Sequence, residues 1–213
     1  MLIRYYGHSQ FELESAGGYR IVTDPFDASV GYPMKALTAD AVTVSHGHFD
    51  HNYTAACPGA RVFDTAGEWF AAPGVRIRTV DSFHDDARGA KRGKNLIFVY
   101  EIDGLRLCHL GDLGHELDEK ALAAIGPVDL LMLPIGGTYT VDSKTAYKIA
   151  QHMGAKVLLP MHYKTRVNAD WAITDPSAFK ALAGEGRGPC PLLRVMKEDL
   201  SCCAPIVWMD WES

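Results

Sequence analysis

Short apolar runs, not long periodic stretches, dominate the first half of the chain. Leu2–Tyr6, Ser9–Glu14, Tyr19–Thr23, Ala41–Ser45, Val75–Asp81, Asn95–Ile102 and Leu105–Leu110 each read as a strand. Gly17-Gly18 separates the second run from the third, and Asp103-Gly104 separates Asn95–Ile102 from Leu105–Leu110. Asp-Gly between two strand-like runs is a strong hairpin signal. This half therefore reads as a meander of antiparallel character. Further on, the pattern alternates. Glu116–Ile125 is helical and stops at Gly126-Pro127, and Leu130–Leu133 is a strand. Asp142 or Ser143 caps a helix through Met153, and Val157–Leu159 is again a strand. Asp175-Pro176 opens a helix to about Ala183. Hairpins followed by helix–strand alternation predict an α/β (α+β) chain whose sheets are covered by helices. Gly184–Pro191 reads as a loop before a final apolar strand pair, so residues 1–213 are expected to form one domain.

Composition narrows the function classes. A chain of 213 residues with 47% hydrophobic and 22% charged positions buries enough surface to fold without disulfides. Its five cysteines (57, 108, 190, 202 and 203) are odd in number and lack CxxC spacing, so reduced thiols are expected, with a redox-active Cys202-Cys203 pair as the alternative. The longest apolar stretch, near Leu130–Ile135, is far too short to cross a membrane, and MLIRYYGHSQ lacks the apolar core of a signal peptide. A cytoplasmic location is the expectation. The net charge of −5 argues against nucleic acid or an anionic membrane as partner. Trp208, Met209 and Trp211 can pack in a homo-oligomer interface or over the chain's own core.

The strongest chemical signal is HGHFDH at residues 46–51, directly after an apolar run. In an extended or looping backbone His46 and His48 point to one side, and Asp50 and His51, in the turn that follows, can face a second ion. Imidazoles with a carboxylate suit zinc, manganese or iron better than calcium. Further donors stand where later strand-like runs give way to loops: His84, Asp112 and His162. Together they make a coherent seven-donor set.

The series HxHxDH … His … Asp … His resembles the metallo-β-lactamase superfamily, and more closely a family of small metal-dependent hydrolases. The matching segments are YGHSQFELE (6–14), VTDPF (22–26), SHGHFDH (45–51), FHDDARGAKRGKN (83–95), HLGDLGH (109–115), LPIGGTYTVD (133–142) and PMHYKT (160–165). Phosphorylated-sugar lactonases and a phospholipase D-type enzyme resemble it more distantly. The likeness covers about residues 1–166. It implies a four-layer αββα sandwich, with His46, His48 and His84 on one metal, Asp50, His51 and His162 on the other, and Asp112 bridging. Phe49 departs from the small residue that the family more often has there. A phenyl ring at that point would narrow the mouth of the site or wall it. The bridging position holds Asp112, not the cysteine of the best-known zinc β-lactamases, so antibiotic hydrolysis is a poor fit.

What the resemblance implies is a hydrolase with two divalent ions, zinc foremost and manganese or iron as alternatives. A metal-bridging hydroxide would cleave an ester-like bond (phosphodiester, lactone or thioester) in a small, anionic substrate. Asp50, His8, His115 and Tyr139 are the candidate catalytic groups, the last three as leaving-group acids. Gly137, Thr138 and Tyr139 of GGTYT read as a substrate-contacting loop or a simple turn. Arg88 and Arg92, in the cationic run 88–94, read as an anion clasp or a solvated loop. Asp24 either orients a metal-bound histidine or forms an Asp-Pro turn. His109 reads as a satisfied core histidine, and His152 as a helix C-terminal partner of the dipole. Two other classes compete: a mononuclear iron oxidoreductase of dioxygenase type, and a non-catalytic protein stabilised by metal.

Overall fold

The computed structural model describes residues 1–211. Its elements run β1 (Leu2–Gly7), β2 (Gln10–Glu14), β3 (Arg20–Thr23), β4 (Ala41–Thr43), β5 (Arg61–Phe63), β6 (Glu68–Ala72), β7 (Val75–Phe83), β8 (Lys94–Ile102) and β9 (Leu105–His109). They continue as α1 (Glu119–Ile125), β10 (Leu130–Pro134), α2 (Ser143–Met153), β11 (Val157–Met161), α3 (Ser177–Ala183), β12 (Arg187–Cys190), β13 (Leu193–Arg194) and β14 (Val207–Met209). One six-stranded sheet has the order β13-β1-β2-β3-β4-β5, a second β11-β10-β9-β8-β7-β6, and β12 and β14 pair apart.

Period-2 alternation decides which side chains meet between the sheets. Ile3, Phe11, Leu13 and Ile21 of the first sheet share one cluster with Ile77, Phe98, Leu107, Met132 and Leu159 of the second. The intervening residues of the second sheet, Ile97, Val99, Cys108, Leu131 and Leu133, face away and are covered by the helices through Ile125, Ile149 and Phe179. On the outer face of the first sheet, Val22, Val42 and Val44 are covered by Leu37, Ala56 and Cys57, from connections that carry only short 3-10 turns. The fold is thus the expected layered sandwich, with its outer layer over the first sheet reduced to turns and loops.

The antiparallel expectation for the first half needs one correction. β1–β2–β3 are antiparallel, but β3–β4 and β4–β5 pair in parallel, because the long connections 24–40 and 44–60 return the chain to the starting end of the sheet. β5 and β6 escape the sequence reading. They are edge strands with little alternation, and Val62 and Phe70 are exposed. The first helix begins at Glu119, capped by the Asp118 carboxylate, which accepts from Ala121 N–H at 2.7 Å. Residues 187–190, expected as loop, pair with β14. The tail covers its own chain: Trp211 packs edge-on against Tyr32 and Trp208 against Tyr163.

Strand direction positions the chemistry. β1, β3 and β4 run one way in their sheet, as do β7, β9, β10 and β11 in theirs. Every donor predicted from sequence follows the C-terminal end of β4, β7, β9 or β11, while β1, β3 and β10 are followed by His8, Asp24 and the GGTYT loop.

Candidate metal centre

The donors converge on Asp112. Its Oδ2 lies 3.2 Å from Nε2 of both His84 and His162, and its Oδ1 lies 3.3 Å from Nε2 of His51. Around it stand three overlapping groups whose donor atoms lie within 4.8 Å of one another: His46, His48 and His84; His8, Asp50, His51 and His162; and His46, His51 and Asp112. All seven sequence-predicted donors fall in these groups, and His8 joins them. Asp112 is held from behind by Asn95, whose Oδ1 accepts Asp112 N–H at 3.0 Å while its amide donates to Ser82 Oγ and the Leu110 carbonyl.

Two missing side chains let the loops close. A Cβ at Gly114 would fall 2.3 Å from Asp85 N, and one at Gly136 would fall 2.2 Å from the His162 carbonyl. No larger residue allows the segments after β9 and β10 to lie against the turns that carry His84 and His162.

Asp24 sets the tautomers. Its carboxylate accepts from Ser45 N–H (2.7 Å), from the Ser45 hydroxyl (2.6 Å) and from His51 Nδ1 (2.9 Å). With its proton on Asp24, the Ser45 oxygen can only accept from His46 Nδ1, 2.9 Å away. Both imidazoles therefore carry their proton on Nδ1 and leave the Nε2 lone pair for the centre. His8 Nε2 donates to Asp50 Oδ2 at 3.0 Å and holds that carboxylate in the same manner.

Electrostatics fit a cation. Asp24, Asp50 and Asp112 are buried, and burial pushes each carboxyl up, but the imidazoles outweigh it: His51 at Asp24, His8 at Asp50, His162 and His51 at Asp112. All three stay below the usual carboxylate range. Burial, with His51 beside it, pushes His46 down to about 3, and burial with His162 takes His8 down to about 4, so both are neutral and in ligand form. Only His51 moves up, because Asp112 and Asp24 outweigh its burial. Before a metal binds, three carboxylates against the single His51 imidazolium leave buried negative charge, which is costly unless a cation offsets it; that cation would take the place of the His51 Nε2 proton and leave Nδ1–H on Asp24. Of the buried atoms without hydrogen-bond partners, His51 Nε2 and Asp112 Oδ1 face each other across the centre at 3.3 Å. The donor set fits divalent metal.

A cleft of about 590 Å³ opens over the donors. Beyond them its lining includes Phe49, Arg92, Tyr139, Asp170, Trp171 and Ala172. Of the proposed acids only Tyr139 reaches it. His115 uses Nε2 to accept Phe83 N–H and Nδ1 to donate to the Glu116 carbonyl, and His8 is wholly buried behind Asp50. Gly137 and Thr138 are not among the lining residues; Gly137 fixes the turn by accepting Tyr139 N–H at 2.6 Å. Arg88 is exposed and outside the lining, whereas Arg92 lies within it. His109 is the satisfied core histidine expected, bonded to the Ser9 carbonyl and Gly111 N–H.

Sequence reasoning missed Asn95, Ser45 as a relay, Asp170 and Trp171. A polar residue opening an apolar run signals Asn95; nothing local singles out Trp171.

A family model described as a beta-lactamase superfamily domain matches residues 2–162. A UPF0173 metal-dependent hydrolase of Thermococcus onnurineus is 31% identical over 215 residues, covering 86% of this chain and 92% of its own. A namesake from Thermoplasma acidophilum is 30% identical, covering 85% and 90%. The solved structure of a Thermotoga maritima protein, assigned by its description to the Zn-dependent hydrolases of the metallo-beta-lactamase superfamily, superposes with TM-score 0.80 and 37% identity, covering 98% of this chain and 97% of that one. Among the described residues no helix is long and apolar enough to cross a membrane.

Proposed function

The chain belongs to the metallo-β-lactamase superfamily as one of its metal-dependent hydrolases, and on that premise we propose that it cleaves an ester-like bond of a small anionic molecule with two divalent ions, zinc foremost. The observation that carries this reading is the convergence of three histidine Nε2 atoms on the two oxygens of Asp112. His46, His48 and His84 would hold one ion, Asp50, His51 and His162 the other, with Asp112 between them. When bound, the ions supply a water acidified toward a pKa of about 7 and positive charge for oxygens that become anionic in the transition state.

The chain's own groups do the rest. Asp24 and Ser45 keep His46 and His51 in the tautomer that presents Nε2, and His8 keeps Asp50 aimed at the centre. Tyr139, whose hydroxyl-bearing ring lines the cleft, is the group placed to give a proton to the departing oxygen or sulfur. The bond is a phosphodiester, a lactone or a thioester; all three place developing negative charge at the donor cluster.

Elemental mass spectrometry on protein purified without chelator, followed by an ester panel, tests the reading. About two zinc equivalents per chain and chelator-sensitive hydrolysis are expected. Tyr139→Phe should slow esters of poor leaving groups more than 4-nitrophenyl esters. Absence of turnover across the panel would overturn the proposal. About one iron with oxygen consumption would replace it by an oxidative chemistry.

A further inference from the structure

The cleft mouth carries two features that hydrolysis alone does not need. Phe49 stands between two donors, His48 and Asp50, yet is 55% exposed. Its ring lies 6.4 Å from that of Trp171, centroid to centroid, and both line the cleft. A phenyl ring left exposed at the cleft mouth costs solvation free energy, and an apolar ligand group laid against the pair recovers it.

The second feature is Arg92. Its loop is built, not solvated. The buried Asp85 carboxylate accepts four backbone N–H groups, from Ala87 and Gly89 (both 2.8 Å), Lys91 (2.9 Å) and Arg92 itself (2.7 Å). The Arg92 guanidinium lies 5.5 Å from the Tyr139 ring centroid, and among the described residues it has no carboxylate partner, whereas neighbouring Lys91 pairs with Asp86. A cation that lines the cleft on a braced loop, with an aromatic ring but no carboxylate beside it, is a binding group for an anion. Asp170 also lines the cleft and would accept a hydroxyl or amine of the same ligand.

Resting on the hydrolase reading, we infer that the substrates are esters with an apolar, aryl- or acyl-sized arm against Phe49 and Trp171 and an acidic group on Arg92. Phe49 is then the residue that sets specificity, and Arg92 the one that sets charge preference.

The test is equilibrium binding of phenylphosphonate and methylphosphonate to the metal-loaded protein by calorimetry, with metal content measured on the same samples. Phenylphosphonate should bind the wild type at least about tenfold tighter than methylphosphonate, the effect expected of one buried phenyl ring. Phe49→Ala should bring that ratio to within about twofold while methylphosphonate binding holds, and Phe49→Leu should restore part of it. Arg92→Gln should weaken both phosphonates by about tenfold and leave the ratio intact. A wild-type ratio near one, a ratio untouched by Phe49→Ala, or phosphonate binding indifferent to Arg92→Gln in metal-loaded protein overturns the inference and spares the hydrolase reading. Wild-type protein that holds no metal overturns both.

Discussion

At the sandwich edge away from the cleft, strands end in short turns at Gly17-Gly18, Gly74 and Asp103-Gly104, and charges pair within reach of solvent: Arg4 with Glu12 and Glu14, Lys197 with Asp129. At the cleft edge the same strands end in buried histidines and carboxylates, several with atoms that bond to nothing. The backbone differs as well. Of the described non-glycine residues with left-handed φ, His8, Asp24, Arg88, Thr138 and His162 lie on loops leading from this edge, at 40° to 60°, and Asp103 alone lies at the other. Each such residue costs roughly 1–2 kcal/mol. His8 and His162 accept that cost side by side, with His162 N–H donating to the His8 carbonyl at 2.8 Å. The distal edge pairs its charges with one another, whereas the cleft edge holds strained backbone and a buried carboxylate–imidazole cluster whose charge a bound cation would offset.

The sharpest way to break the comparison is to remove the group on which the donors converge. Asp112→Ala should abolish metal retention and lower kcat/KM by more than about a hundredfold, beyond what loss of an outer partner costs. Arg4→Met, at the other edge, should leave metal content at the wild-type value by elemental mass spectrometry. Equal retention in the two variants would mean that the cleft edge is not the metal centre. Chelation comes next. Stripping metal held at 100 times its Kd should cost about 2.7 kcal/mol of stability, read as a lower Tm. Hydrogen exchange should then quicken around residues 7–9, 45–51, 84, 111–113 and 161–163, and stay unchanged at 15–19 and 102–105. A uniform change would erase the distinction between the edges.

Asp24→Asn probes the layer behind the donors. An amide there can still accept from Ser45 but no longer carries the charge that favours the Nδ1-protonated forms of His46 and His51. Metal affinity should fall by about 10–100-fold with the fold intact, measured by competition with a chromophoric chelator. Affinity within twofold of wild type would show that the turn made by Asp24 matters and its charge does not.

These residues also mark where sequence was informative. HGHFDH, His84, Asp112 and His162 were legible because metal chemistry restricts the residue types and because each follows a strand end. The layers were legible from period-2 runs and helix stops. The parallel return of β4 and β5 was not, since it depends on where a long irregular connection ends. Nor were Ser45 and Asn95, whose importance lies in relaying or bracing another residue's position. Arg92 and Arg88 share one cationic run, yet only one faces the cleft, and the choice depends on four hydrogen bonds to Asp85 that no spacing reveals. His8 and His115 were both candidate acids until the partners of their ring nitrogens were visible.

The smallest effect tests whether the distal edge stands independently of the cleft. Asp129 precedes β10 there, and its carboxylate accepts from Lys197 and from Arg106 N–H at 2.9 Å, with Lys156 at 3.5 Å. Burial pushes this carboxyl up, but the Lys197 ammonium and the Arg106 N–H outweigh it and hold it below the ordinary value. A carboxyl lowered by folding adds stability in full above its unfolded pKa of about 3.9, and loses that contribution as pH falls through the folded value. Asp129→Asn should therefore cost up to about 1 kcal/mol at pH 7, shrinking toward zero as the pH falls through the lowered folded value. Urea unfolding of both proteins across pH 2.5–7 measures the difference. Metal content at pH 7 should be the same in both, because none of the groups around Asp129 belongs to the donor cluster. If metal were lost as well, the two edges would be coupled through β10, and the apparent independence of the distal edge would be wrong.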